Sequence, residues 1–488
     1  MALIITNNDN NYIDFNLQSN NNNTILTSFA NSIRRILLND INSLGFKYIQ
    51  YQHNDRDIII HENSNKIIHT DRLAKRLSLL TINIPSIKLL VLIYLITNNL
   101  FDEHININNI NSYLKLSNIK QYLDKIIFKI NIKNTSKDIT YITTDLIDIF
   151  INDIPLINID ITKFTQLHFE LFSYFNKSNL IPLLQNNDLQ SFNTNFKNIL
   201  FNHTIFTNIE IDNIFYNTKM YPKLITELGF NDIISLVMKL SIGNNKLDCT
   251  YDVVSTVSYS FEKNYDEINI NLIDMTKDID DKLKQFNFPF ERWGDISQFK
   301  ISNKLIHERN SIKDVNLKQL IKEKDLLIQR YNIFNAYRIY RKNEHNIPTQ
   351  YNLGFKYEGV HDNIRILYKA FKNLNKQILD FKNLFRKVDN IPYQDNHIKI
   401  IYSETLEDSI DIYITNSSHT IMNLINDYLY YLIISKEKHY YVSYKKIHQL
   451  SPEFLLRVIC NNYKKDIYAV CDYILNLNNN ILKEFKNN

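Results

Sequence analysis

The sequence predicts an α+β protein made of two related modules. Short segments with an apolar residue at every second position predict strands, and two long segments with apolar residues three and four apart predict helices. The order of strand, helix, strands and closing heptad helix occurs twice, the second time after residue 396. We therefore expect a pseudo-repeat in which each of two small antiparallel sheets carries helices on one side.

The composition excludes several classes of protein. Of the 488 residues, 44% are hydrophobic and 22% are charged, which provides enough apolar material for folded cores. The chain has 6 glycines and neither a GxGxxG nor a GxxxxGK[ST] run, which counts against phosphate-binding glycine loops. The formal net charge of +4 shows no large basic excess, so wrapping of nucleic acid is not expected.

The first module opens with a strand at Tyr12 to Leu17 and a helix from about Ser28 to Leu38, for which Thr27 or Ser28 is a candidate cap. An alternating segment and a second helix follow, at 57–61 and at about 70–79. From 125 to 149 the pattern turns to alternating apolar residues, which predicts strands.

The middle of the chain gives a weaker pattern. Residues 156–221 are rich in Asn and Phe and predict no particular element. Short apolar runs return at 224–261, where VVSTVSYSF (253–261) has the composition of a strand. Residues 278–346 are charged and mostly helical in pattern.

Two apolar seams close the two modules. The steps along the first are 3, 4, 3, 4, 3 and 4 residues, through Ile364, Leu367, Phe371, Leu374, Ile378, Phe381 and Phe385. The second seam steps by 3, 4, 3 and 4 residues, through Ile467, Val470, Ile474, Leu477 and Ile481. Either seam alone is typical of an amphipathic helix lying on its own sheet. Two seams that end two similar modules favour packing of one helix against the other.

Between the modules, the polar segment 386–396, which contains Pro392, has the character of a linker. The second module then predicts a strand with Ile410, Ile412 and Ile414 on one face. A helix carries Ile421 to Leu432, and two short strands follow at 440–445 and 454–459.

No pattern in the sequence indicates catalytic chemistry. The cysteines, Cys249, Cys460 and Cys471, match neither a zinc knuckle nor a disulfide framework, and there is no HExxH or GxSxG. We therefore expect no catalytic residue, no metal and no cofactor. The most apolar stretch, 82–100, is interrupted by Pro85 and Lys88, so a membrane span is not expected either.

Basic groups occur at Arg34–Arg35, at Lys75–Arg76 and in KKIH (445–448). None of them is interleaved with aromatic residues as in single-strand binders. Three roles remain open for these groups. In decreasing order of preference they are charge exposed to solvent, contact with a protein and contact with a nucleic-acid backbone.

Five separated matches, some of them made of two segments, resemble in order the alpha-like subunits of DNA-directed RNA polymerases. The larger of these subunits is resembled by FANSIRRILLNDINSLGF (29–46) with ENSNKIIHTDRLAKRLSLLTI (62–82), by FKINIKNTSKDITYITTDL (128–146), by LITELGFNDIISLVMKLSIG (224–243) with VVSTVSYSF (253–261), and by NLGFKYEGVHDNIRILYKAFKNLNKQI (352–378). HTIMNLINDYL (419–429) and YVSYKKIHQLSPEFLLRVI (441–459) resemble the small partner. The chain thus resembles a fusion of both, an arrangement known from large DNA viruses.

The resemblance implies a domain plan. Residues 1–82 and 223–385 would form the larger dimerisation domain, 83–222 an inserted mainly β domain, 386–396 a linker and 397–488 the small dimerisation domain. The two dimerisation modules would pair about a pseudo-twofold axis. The family often has four cysteines in its inserted domain, but this chain has none before Cys249, so the zinc site should be absent.

The resemblance also implies a function. The chain would be a non-catalytic platform on which the largest and second-largest polymerase subunits and small accessory subunits assemble, with DNA reached only through the complex. The expected interface residues are Asn31, Arg34, Arg35, Arg76, Ile364, Phe371, Leu374, Ile378, His419, Asn423, Ile474 and Ile481. In the family, the arginine pair faces the second-largest subunit.

Two other functions remain open at this point. One is a viral structural scaffold or adaptor unrelated to polymerase, and the other is an enzyme with a diffuse active site, which the missing motifs disfavour. The heavy use of Asn, Ile, Lys and Tyr is typical of an AT-rich genome and is compatible with a giant virus. A viral chain would be expected in the virion and the host cytoplasm, and a cellular one in the nucleus.

Overall fold

The α+β class is confirmed by the elements of the computed structural model. The structure describes residues 2–9, 12–18, 26–48, 56–65, 67–80, 82, 119–155, 210–211, 214–215, 223–285, 315–344, 346–357, 363–388, 390–415, 417–432 and 441–487. The helices are α1 (Thr27–Asn39), α2 (Thr70–Ser78), α3 (Ile119–Leu123), α4 (Tyr265–Gln285), α5 (Val315–Phe334), α6 (Asn363–Leu384), α7 (His419–Leu432) and α8 (Tyr463–Asn487).

The strands form antiparallel sheets. In chain order they are β1 (Ala2–Asp9), β2 (Tyr12–Gln18), β3 (Ser43–Gly45), β4 (Ile58–Asn63), β5 (Ile126–Lys133), β6 (Thr140–Thr143), β7 (Asp148–Ile151), β8 (Ile154–Pro155), β9 (Glu210–Ile211), β10 (Ile214–Phe215), β11 (Leu224–Leu228), β12 (Ile233–Lys239), β13 (Ser241–Gly243), β14 (Val254–Phe261), β15 (Gln350–Tyr357), β16 (Tyr393–Gln394), β17 (Ile398–Tyr402), β18 (Ile410–Thr415), β19 (Tyr441–Lys446) and β20 (Glu453–Ile459).

Two of the sheets have the same topology. The first has the strand order β1-β2-β15-β14, and the second has β17-β18-β20-β19 with β16 added at its edge. In each, the same elements occur in the same order: a hairpin, a helix, a second pair of strands and a closing helix, and the fourth strand of the sheet pairs with the second. In the first module, further elements are inserted between α1 and β14 and between β14 and β15. The repeated order of elements predicted from the sequence therefore extends to the order of the strands in the sheet.

Each of these sheets buries one face beneath its own helices. Ile13, Phe15 and Leu17 of β2 are at most 1% exposed, and so are Ile412 and Ile414 of β18. All of them belong to one continuous core with residues of α1, α6, α7 and α8. Alternate residues of the strands point away from this core, which is the period of two that identified the strands in the sequence.

The linker prediction needs a correction. Tyr393 and Gln394, which lie within 386–396, form β16 and pair with Ile400 and Lys399 of β17. Val388 at the other end is only 1% exposed. Both ends of the segment therefore belong to folded modules, because their backbone and apolar groups find partners there.

The boundaries predicted for the inserted domain cut through a sheet. Strands β5, β7 and β8 lie inside 83–222, but β5 pairs with β12, and β12 pairs with β4. Both β4 and β12 fall outside the predicted range. The sheet order β4-β12-β5-β7-β8 shows that the β unit takes strands from both sides of the predicted insertion. Residues 156–209 fall outside the described residues.

A pair of helices, α4 and α5, lies between β14 and β15 in the chain. Helix α5 falls within 278–346, the region predicted to be helical, whereas α4 begins before it, at Tyr265. Lys324 on α5 is 0% exposed, and its Nζ lies 2.5 Å from Oδ1 of Asp280 on α4. Thr276 donates to the other oxygen of Asp280 at 2.9 Å. The two helices are thus fastened by a buried ion pair whose oxygens are both occupied.

The cap predicted for α1 is wrong. The residue preceding the helix is Leu26, which offers no side-chain cap. The Thr27 hydroxyl instead lies 3.2 Å from the Tyr351 hydroxyl, so it makes a tertiary contact and does not cap the helix. Among the helices described, none is long and apolar enough to cross a membrane.

Candidate subunit interface

The two predicted seams lie in one core. On α6, Leu367, Phe371, Leu374 and Ile378 are 0% exposed, whereas Ile364 at the start of the helix is half-buried. On α8, the seam residues Ile467, Val470, Ile474 and Ile481 are 0% exposed and Leu477 is 3% exposed. The two helices contact each other and share a single hydrophobic cluster. The interpretation of each seam as a helix on its own sheet alone is therefore incomplete.

Aromatic contacts join the same pair of helices. The ring of Phe485 on α8 lies 6.0 Å from that of Phe371 and 6.2 Å from that of Tyr368, measured between centroids. Ring pairs at these separations contribute beyond the area that they bury. The Phe485 ring thereby closes the end of the seam beside α6.

Polar groups cross the seam at defined points. Asn478 on α8 is 0% exposed, and its Nδ2 donates to the Phe371 carbonyl and to Oδ1 of Asn375, both at 2.7 Å. Asn375 donates in turn to Asn479 at 2.7 Å. Lys382 and Asp472 form an ion pair at 2.5 Å. These contacts fix the register of α6 against α8, as a single buried Asn does in a coiled coil.

The second pair of helices, α1 and α7, also makes contacts between the modules. The Ser32 hydroxyl donates to the Ser28 carbonyl at 2.7 Å and reaches the Thr420 carbonyl at 3.5 Å. Tyr428 of α7 is fully buried and hydrogen-bonds the backbone N–H of Leu26. Burial raises the pKa of the Tyr428 phenol, so this group stays protonated throughout the ordinary pH range.

One carboxyl lies in this helix pair. Burial raises the pKa of Asp427 on α7, although hydrogen bonds from neighbours, among them Asn423 at 3.3 Å, oppose the shift. Asn423, one of the predicted interface residues, thus donates a hydrogen bond to Asp427 on the same helix. A folded-state pKa above the unfolded value means that the Asp427 contribution to stability is present at low pH and is lost as the pH rises.

The predicted arginine pair lies at the edge of this contact. Arg34 is half-buried, and its Nε donates to Oδ1 of Asn31 one turn earlier at 3.0 Å. Burial raises the pKa of Tyr444, and the half-buried Arg35 nearby opposes that shift. His419 is exposed and lies edge-on to Phe454, with the ring centroids 4.9 Å apart.

Arg76 lies elsewhere. It sits on α2, which contacts β4 and β11, and its Nη1 donates to the Ile225 carbonyl at 2.8 Å. Its side chain is exposed. Five of the predicted interface residues lie in one core: Phe371, Leu374, Ile378, Ile474 and Ile481. Ile364 is half-buried at the start of α6. Five others lie on α1 and α7, namely Asn31, Arg34, Arg35, His419 and Asn423, and Arg76 lies at the β unit.

Asn478 is the residue that sequence reasoning missed. It follows Leu477 in a run of asparagines, and in so Asn-rich a chain nothing in composition distinguishes it. Its signal is positional: it is four residues after Ile474 and three before Ile481, so it lies on the buried face of α8, beside the seam residue Leu477. The same helical period that identified the apolar residues could have identified this one.

The three cysteines differ in burial. Burial raises the pKa of both Cys460 and Cys471 to about 12. Cys249 is exposed and far from both in the chain. Within the part of the chain that the structure describes, no three His, Cys, Asp or Glu side chains could together hold a metal ion.

We expect the purified chain to contain no stoichiometric structural zinc. The reason is that the spacing of the three cysteines matches no zinc-binding pattern and that no cysteine lies in residues 83–222. Elemental analysis of the full chain after dialysis against metal-free buffer measures this directly. One zinc per chain, retained through that dialysis, would contradict the expectation.

The fold and this interface define a class of chain in which two modules of the same topology pack on each other through paired helices. The chain matches no protein-family model and no curated protein.

Proposed function

We propose that the chain is a non-catalytic assembly platform of a multisubunit DNA-directed RNA polymerase, a fusion of its two alpha-like subunits. The observation that carries the proposal is the pair of sheets with the strand order first, second, fourth, third, whose closing helices share one buried seam. The resemblance of the sequence implies two small antiparallel sheets, each with helices on one side, paired about a pseudo-twofold axis, and the two sheets and their shared seam support that expectation. The two largest polymerase subunits are the proposed partners.

The physical role of such a chain is to present one rigid surface. Burying the seams stabilises the pair by about 25 cal/mol per Å² of apolar area removed from water. Joining the modules in one chain raises their effective concentration to about the mM range for a short flexible connection. The shared core and the structured ends of 386–396 then leave little freedom between the modules.

Co-purification tests this proposal. The chain, tagged at one end and expressed in its native setting, is purified under mild conditions and its partners are identified by mass spectrometry. Recovery of two very large subunits together with the chain would support the platform. A chain recovered with capsid or other structural proteins would instead support a viral scaffold or adaptor.

We expect the double substitution Arg34→Ala and Arg35→Ala to leave a folded chain that no longer retains the second-largest subunit. Both side chains lie at the rim of α1, and Arg offers several donors in a planar fork to a partner's carboxylates or carbonyls. The measurement is the ratio of the second-largest to the largest subunit after tag purification. A matched control is Lys372→Ala with Lys376→Ala, which removes two exposed cations from α6. Equal retention in both variants would contradict the assigned role.

A further inference from the structure

The outward face of the second sheet contains a groove beside its edge strand. A cavity of about 210 Å³ is lined by Leu406, Tyr441, Ser443, Lys445, Leu455 and Arg457. Three of these residues alternate along β19, so the groove follows that strand for roughly 14 Å at the usual rise per residue. The lining therefore belongs to the face of the sheet opposite the shared core.

The groove has an apolar floor and walls. Leu455 of β20 lies directly opposite Lys445 in the strand register and is only 6% exposed, although it points away from the core. Leu406 and Tyr441 are 40% and 45% exposed at one end of the groove. Exposed apolar side chains around a buried leucine provide room for one apolar side chain of a ligand.

Cations lie at the other end. Arg457 is opposite Ser443 and is held by two hydrogen bonds to Asp411, at 2.6 and 2.7 Å, so its guanidinium is fixed in place. The Lys445 ammonium is exposed and has no hydrogen bond or ion pair with any residue that the structure describes. An acidic side chain entering from the edge would meet Lys445 first.

One edge of β19 has no strand partner among the described residues. In the described part of the chain, β19 pairs with β20 and with no other strand, so alternate N–H and C=O groups point outward. An edge of this kind can accept an added strand, with main-chain hydrogen bonds giving affinity and pockets for alternate side chains giving specificity. The edge strand β14 of the other module differs in this respect. Its outward residues are Thr256, Ser258 and Ser260, which are small and uncharged, so they form neither the wall of a groove nor a charged site.

We propose that β19 and its groove bind an extended acidic–apolar segment of a partner protein, which adds a strand to the sheet. The segment carries an acidic residue opposite Lys445 and, two positions away, an apolar residue opposite the small Ser443, beside Tyr441. A nucleic-acid backbone has no alternating amide N–H and C=O groups to pair with the outer edge of β19, which favours a peptide segment over a nucleic acid. The proposal does not require the polymerase assignment and stands or falls by a separate measurement.

Fluorescence anisotropy with the full chain tests it. The probes are two labelled peptides, Thr-Thr-Glu-Thr-Leu-Thr-Thr and its reverse, which allow for either strand direction. We expect saturable binding of one of them, no binding of the version with Lys in place of Glu, and loss of binding when alternate backbone nitrogens are methylated. The substitution Lys445→Glu should weaken binding about tenfold or more, because attraction becomes repulsion.

The matched control is Lys356→Glu, which reverses an exposed charge on the outward face of the other sheet and should leave the affinity unchanged. The proposal is overturned if neither acidic peptide binds with a dissociation constant below about 1 mM. That result is also expected if another part of this chain already fills the groove. It is also overturned if the two variants bind alike or if the methylated peptide binds as well as its parent. Displacement of the peptide by a single-stranded oligonucleotide would assign the groove to nucleic acid instead.

Discussion

Cutting the chain between its modules is expected to leave one particle. A protease site inserted beside the exposed Asn390 separates the chain there while keeping β16 paired with β17. The fragments should co-elute from a sizing column in native buffer and separate only in denaturant, because the seams of α6 and α8 lie in one core. Obligate interfaces of this kind bury about 2,000 Å² or more.

Charges in the seam should reverse that result. With Phe371→Asp and Leu374→Asp, two carboxylates enter a site where both native side chains are 0% exposed. Each uncompensated buried charge costs on the order of 3–5 kcal/mol, so the cut fragments should elute separately. The control is Leu379→Asp on the same helix, where the native side chain is 45% exposed and the fragments should stay together. Cut but unmutated modules that drift apart as stable monomers would contradict the paired-module proposal.

The helices and most of the strands could be predicted because their period is local. The seam residues from Leu367 to Phe381 and from Ile467 to Ile481 are buried as their spacing predicted. Burial of a stripe follows from the helical repeat alone, whichever surface covers it. The packing of one seam helix against the other was predicted only because the sequence contains two seams. The hydrophobic cluster that α6 and α8 share agrees with that prediction.

What escaped prediction depends on partners distant in sequence. The strands β4 and β12 join the inserted β unit through pairing with residues far along the chain, and no local pattern specifies such a partner. Lys324 looks like an ordinary solvated cation in a charged helix, yet Asp280 on another helix lets it be fully buried. The interface residues divided in the same way: apolar seam positions followed from spacing, whereas Arg76 required knowledge of where α2 packs.

Asn478 should be the most sensitive polar residue of the seam. Its Nδ2 donates twice across the interface, while its Oδ1 is buried without a hydrogen-bond partner among the described residues. We expect Asn478→Asp to lower the free energy of unfolding by on the order of 3–5 kcal/mol, because it replaces the donor with a charged acceptor facing the Phe371 carbonyl. Urea unfolding at pH 7 measures this, with Asn476→Asp at an exposed position of α8 as the control.

The pH dependence of the Asn478→Asp variant distinguishes an effect of the introduced charge from an effect of side-chain shape. Burial raises the pKa of the introduced carboxyl, so lowering the pH protonates it and restores a donor toward the Phe371 carbonyl. The loss of stability relative to the unmodified chain should therefore be smaller at pH 5 than at pH 7. Asn478→Leu removes the unpaired oxygen and the donor together, and should cost less than about 1 kcal/mol while loosening the register of α6 against α8. Equal losses for the Asp and Leu variants at both pH values would show that Asn478 acts by its volume and not by its hydrogen bonds.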